Sequence, residues 1–114
     1  MSAGDWKEMY SAASSGNMDL VRYHIENGVN PNYQHPEILA TPLVAAISAG
    51  HTDIALFLLD NKADPNLKSF FDDMTAVEAA RRYKNETVLG ELKKRGIHIK
   101  PSFFGKLLDR LLPK

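Results

Sequence analysis

What most constrains this chain is a step of 34 residues. Moving along the sequence by that interval carries Ala12 to Ala46 and Ala80, Leu20 to Ile54 and Val88, and Ile25 to Leu59 and then Lys93. It also carries Gly16 to Gly50, Asp19 to Asp53, Pro31 to Pro65, Asn32 to Asn66 and Thr41 to Thr75. A period of this length, held by positions of like chemistry, marks stacked helical hairpins, none of which can bury its apolar face without a neighbour. The best-formed copy, Thr41 to Asn66, reads TPLVAAISAGHTDIALFLLDNKADPN. Its Thr-Pro start, Gly-His break and Asp-Pro-Asn stop spell helix, turn, helix, turn.

Local signals place the helices. Asp5 with Glu8 three residues on has the spacing of a capping box, and Trp6, Met9, Tyr10, Ala12 and Ala13 supply an apolar side. The first unit lacks the Thr-Pro start and carries Ser2, Lys7, Ser11 and Ser14 outward, as the polar end unit of a stack must. Its second helix, about Met18 to Asn27, presents Leu20, Val21 and Ile25, with Gly28 as a left-handed stop. Thr41 and Pro42 are a helix N-cap and first residue. Ala45, Ala46 and Ala49 keep that helix slim, so the large Leu56, Phe57, Leu58 and Leu59 fill the space between layers. Thr75 and Glu78 give a second capping box, and the third hairpin, with Val88, Leu89 and Leu92, ends at Arg95-Gly96.

Residues 41–66 follow the T-P-L-H-x-A-A-x-x-G-H and L-L-x-x-G-A-D-x-N signatures, so the chain resembles the ankyrin repeat family over roughly residues 5–99. Val44 stands where that family usually has His, Lys62 replaces the usual Gly, and the segment between Asn and the next Thr is one residue longer and lacks its Gly. The expected fold is an all-α solenoid of three helix-turn-helix repeats, about 5–39, 40–73 and 74–100, in a domain of residues 1–100. Residues 101–114 are expected to form a C-terminal amphipathic capping helix.

That segment, PSFFGKLLDRLLPK, places Phe103, Phe104, Leu107, Leu108, Leu111 and Leu112 at helical spacing, opposite Lys106, Asp109 and Arg110. It reads either as a capping helix on the third repeat or as a helix that docks on a membrane surface or another protein. Charge is unevenly divided: residues 1–74 hold four Lys/Arg against ten Asp/Glu, and residues 75–114 hold ten against four. Such a dipole orients partners, or permits salt-sensitive head-to-tail self-association, although a monomer is the expected state. The chain has no cysteine, which removes disulfides and thiol chemistry and accords with a reducing compartment. MSAGDWKEMY has no apolar run, so no secretion signal is expected and the cytoplasm is the expected location.

The resemblance implies a protein-binding scaffold whose hairpin tips and first helices line the contact face. By position this points to Gln34, His35 and Glu37 in the first tip, to Lys68, Ser69, Phe70, Phe71 and Asp72 in the second, and to Ser48, Ala49, Arg82 and Tyr83 on the helices. Adjacent aromatics in a turn cannot both face one interior. Phe70 and Phe71 are therefore either a contact site with at least one ring exposed, or a local cluster buried by a folded-back hairpin. Catalysis has little support. His24 falls in register with Leu58 and Leu92 as a packing residue, and His51 matches the family's Gly-His turn, where a hydrogen bond to backbone is implied. A His51–Asp53 dyad lacks a nucleophile, no metal-ligand spacing or phosphate loop is present, and no cofactor is expected. Arg81, Arg82, Lys84, Lys93, Lys94 and Arg95 are interrupted by Glu78, Glu86 and Glu91, which reads as solvated helix surface and not as a nucleic-acid site.

Overall fold

The computed structural model describes residues 3–97. The expected amphipathic helix, with Phe103, Phe104, Leu107, Leu108 and Leu111, lies outside them. Six helices follow one another: α1 (Ala3–Ser15), α2 (Met18–Glu26), α3 (Pro42–Ser48), α4 (Thr52–Asp60), α5 (Ala76–Arg82) and α6 (Glu86–Lys94). They pair as hairpins α1–α2, α3–α4 and α5–α6. First helices pack on first helices (α1 on α3, α3 on α5) and second helices on second (α2 on α4, α4 on α6). The fold is an all-α repeat stack in two layers, as the period predicts.

Backbone geometry repeats with the sequence. The carbonyls of Ala12, Ala46 and Ala80 accept the amides of Asn17, His51 and Asn85 at 2.9, 2.8 and 2.8 Å, closing each first helix in the same way. The residue before each of those donors is left-handed: Gly16 at φ +88°, Gly50 at +82° and Lys84 at +56°. A second left-handed series ends the second helices, at Gly28 (+87°), Lys62 (+73°) and Gly96 (+79°). Of these six positions only the two lysines carry a Cβ, so Lys62, in the place of the family's Gly, and Lys84 each hold a left-handed backbone against the Cβ clash.

Small residues let the layers close. From Pro42 to Ile47 every residue of α3 is buried, and Ala46, Ala55, Ala79 and Ala80 leave room for Ile47, Ile54, Leu58, Val88 and Leu92, all fully buried. Each of those aliphatic side chains contributes about 1.5–3 kcal/mol by leaving water. Val44, in the place of the family's His, is 1% exposed and serves as plain core.

Helix starts follow the expectation at Thr41, which caps α3 through Val44 N at 3.1 Å, and at Thr75 with Glu78, a complete capping box. They depart from it at Asp5. Helix α1 already runs from Ala3, so Asp5 sits within its first turn, and Glu8 turns away to accept from His24 Nε2 at 2.8 Å. That bond ties α1 to α2 and satisfies the imidazole of a histidine only 4% exposed.

Candidate functional site

Two tips project between the hairpins, residues 30–40 and 64–74. Each begins with the same side-chain turn: Asn32 N donates to Asn30 Oδ1, and Asn66 N to Asp64 Oδ1, both at 2.9 Å. Such local carboxylate and amide acceptors substitute for a backbone turn partner. Asn32 then joins the layers, accepting from Asp64 N at 2.6 Å and donating to Lys62 O at 2.8 Å.

The second tip is a closed hairpin. Ser69 N donates to Met74 O at 2.8 Å, Met74 N donates back to Ser69 O at 3.2 Å, and Asp73, at φ +55°, makes the turn between them. Ser69 is fully buried: its hydroxyl accepts from Thr41 N at 3.3 Å and donates to Asp72 Oδ2 at 2.7 Å. Phe71 N donates to Leu39 O at 3.1 Å, and Gln34 Nε2 donates to Lys68 O, so the two tips are stitched side by side. On this held backbone Phe70 and Phe71 are 59% and 70% exposed, next to Leu39 at 43%. Both rings face water, so the hairpin does not bury them as a local cluster.

Charge surrounds the rings. Lys68 Nζ is 2.7 Å from Asp73 Oδ1 and 5.7 Å from the centre of the Phe70 ring. The hydrogen bond and the opposite charge hold the Asp73 carboxyl below, and the Lys68 amine above, their ordinary values. Glu37 pairs with Lys7 of α1 at 3.4 Å. Burial, and then the negative charge of Asp72, push the Tyr10 hydroxyl up, which places Asp72 within electrostatic reach of α1.

Two residues assigned to the contact surface are not on it. His35 is 7% exposed, stacked over Trp6 at 6.0 Å, and its Nδ1 accepts from Glu37 N at 3.1 Å. Tyr33 meets both rings edge-on, at 6.1 and 6.4 Å. His35 and Ser69 are 34 residues apart and do equivalent work, anchoring each tip to the layer before it.

The chain matches the family model for ankyrin repeats (3 copies) over residues 9–102. It belongs to the ankyrin repeat family. Ankyrin repeats are generally protein-protein interaction modules, and the family is generally non-enzymatic. The chain is also similar to an ankyrin repeat-containing protein of Schizosaccharomyces pombe, 37% identical over 60 residues, which is 53% of this chain and 28% of that protein. The chain thus spans little more than a quarter of that relative.

The remaining assigned residues gather elsewhere on the ankyrin stack. Ser48 and Ala49 close α3, and Arg82 and Tyr83 close α5, so they lie a helix length, about 10 Å, from the tips. An open cavity of about 450 Å³ there is lined by Ser48, Ala49, Tyr83, Lys84 and Asn85. Arg82 lies 5.8 Å from the centre of the exposed Tyr83 ring. The assigned residues therefore form two patches and not one. Leu39, an apolar residue just before a helix, reads as core in the sequence but is 43% exposed. Its left-handed backbone, shared with Asp73 one step on, turns it outward.

The histidine turn differs from what the family resemblance implies. His51 is the N-cap of α4 yet makes no capping hydrogen bond, and its ring lies against Gly16, where a Cβ would come within 2.7 Å of it. Asp53 is engaged by Ile54 N at 2.8 Å. Among the described residues no three His, Asp or Glu side chains gather as a metal site, and no helix is long and apolar enough to cross a membrane.

Proposed function

We propose that this chain is a non-catalytic, cytoplasmic binding module that captures a partner protein on the aromatic end of its second tip. Phe70, Phe71 and Leu39 form the contact, with Gln34, Glu37, Lys68 and Asp72 at its edge. The observation that carries this reading is a pair of exposed phenylalanines on a backbone held in place by hydrogen bonds within the hairpin and to Gln34, Leu39 and Thr41. Exposed neighbouring aromatics supply large contact area, and a pinned backbone keeps the ordering cost of binding low. Ser48, Arg82 and Tyr83 form a second, smaller contact patch at the far end of the helices.

Affinity capture with the unaltered chain and with Phe70→Ser plus Phe71→Ser tests it. The expected result is loss of the captured partner with a melting temperature within about 2 °C, since surface substitutions change stability little. Equal capture by both proteins would reject the tip as the contact, and a large loss of stability would assign the rings to packing.

A further inference from the structure

Charge at the second tip does not balance. Glu37 is paired with Lys7 at 3.4 Å and Asp73 with Lys68 at 2.7 Å, which leaves the carboxylate of Asp72 over. Its Oδ2 accepts from the buried Ser69 hydroxyl at 2.7 Å, and among the described residues no cation forms an ion pair with it. Its charge is felt on α1, where burial first and Asp72 second push the Tyr10 hydroxyl up. The two rings differ in the same sense. Lys68 Nζ stands 5.7 Å from the centre of the Phe70 ring, whereas Phe71, 70% exposed, has no cation over its face among the described residues. One unpaired carboxylate and one unoccupied ring are thus consecutive residues of a backbone pinned to Leu39 and Thr41.

We propose that the partner segment taken at this tip is basic and apolar together: a cation, arginine before lysine, seated on Phe71 and paired with Asp72, beside a large apolar side chain on Phe70 and Leu39. This rests on the aromatic tip being the contact surface and adds what that surface recognises. A wholly apolar segment would cover the rings but strip water from an unpaired carboxylate, and an acidic one would bring like charge against it. A guanidinium does neither. It is planar and weakly hydrated, stacks on an aromatic face and hydrogen-bonds a carboxylate along its edge. The molecule already makes half of this contact, with Arg22 at 5.5 Å from the centre of the Phe57 ring and Arg82 at 5.8 Å from that of Tyr83. The Cα atoms of Phe71 and Asp72 are about 3.8 Å apart, within the span of one arginine side chain. The wider field agrees, since residues 1–74 hold four Lys/Arg against ten Asp/Glu and so draw a basic segment in.

Random peptides displayed on phage, selected on the immobilised full-length protein, are sorted by whether Phe70→Ser with Phe71→Ser abolishes their binding. Those that depend on the rings are expected to carry arginine, less often lysine, within about three positions of Leu, Ile or Phe, the reach of one extended segment across the tip. For the tightest of them, fluorescence anisotropy completes a cycle of two changes, Asp72→Asn in the protein and the basic residue to alanine in the peptide. Asparagine keeps an acceptor for the Ser69 hydroxyl, so the melting temperature is expected to stay within about 2 °C. Each single change should raise Kd at least about threefold, and the two together by clearly less than the product, because both remove one contact. Asp73→Asn, at a carboxylate that Lys68 already pairs, should change Kd by less than about twofold at physiological salt. Ring-dependent peptides without a basic residue, or effects of the two changes that multiply, overturn the assignment and leave the tip standing as a contact surface. If no peptide depends on the rings, that surface goes and this assignment with it. Sedimentation of the protein alone covers the remaining occupant: self-association abolished by Asp72→Asn would seat a second copy there and overturn the assignment as well.

Discussion

Lys62 holds, at φ +73°, the place that Gly96 holds at φ +79° one repeat later. Both end a second helix, and both are followed by an amide that reaches back five residues, from Ala63 to Leu58 O and from Ile97 to Leu92 O. One backbone shape is thus built once with glycine and once against the preference of a side chain.

Lys62→Gly is therefore expected to stabilise the chain by up to about 1 kcal/mol, the usual cost of a left-handed non-glycine residue. Urea melts check this. Asn32 Nδ2 bonds the Lys62 carbonyl, not its side chain, so the substitution keeps that contact. Gly28→Ala should destabilise by about the same amount, through backbone strain alone, because a Cβ there meets nothing within 4 Å.

Ser69→Ala removes the acceptor of Thr41 N and the donor to Asp72, and it leaves a buried amide unsatisfied. A loss of about 1–3 kcal/mol is expected. In amide exchange Thr41 should lose protection, while the core amides of α4 retain theirs relative to the new global stability.

Asn85 and Asn17 are counterparts, but they are not equivalent. Each caps its helix, through Val88 N at 3.1 Å and Leu20 N at 3.2 Å, and Asn85 also donates to Thr52 Oγ1 of the preceding repeat at 3.0 Å. Alanine should cost about 1 kcal/mol at Asn17 and more at Asn85, where an inter-repeat bond is lost with the cap. Thermal melts of the two variants compare them directly.

The Lys68–Asp73 pair sets a pH dependence of known sign. Asp73 titrates below its ordinary value of 3.8, so its contribution is full above that value and disappears as the pH falls through the lowered one. Lys68 titrates above 10.5, so its contribution is full below that value and is lost as the pH rises through the raised one. Both groups are exposed, so salt screens the pair. Carboxyl NMR titration should show the Asp73 midpoint moving up towards 3.8 in Lys68→Met and in 1 M salt. An unchanged midpoint would remove the ion pair as its cause.

Where expectation and structure part, contacts distant in sequence are responsible. Asp5 and Glu8 have the spacing of a capping box, yet Glu8 serves His24 sixteen residues away. His35 and Ser69 are polar residues in tips and so read as surface. Ser69 is instead buried by a bond to Thr41 N, 28 residues back, and His35 by its stack on Trp6. Leu39 shows the reverse, an apolar residue turned outward by its backbone.

The amino-acid pattern by itself determined the layering of this chain. Small and large apolar residues, helix caps and left-handed stops recur at one interval, and only stacked hairpins in a common register bury them together. Tertiary structure alone decided which tip residues meet solvent. A buried polar atom must find its partner across a layer, and no local pattern encodes where that partner will stand. That is why Ser69 is hidden and Phe70 and Phe71, its neighbours, stand in water.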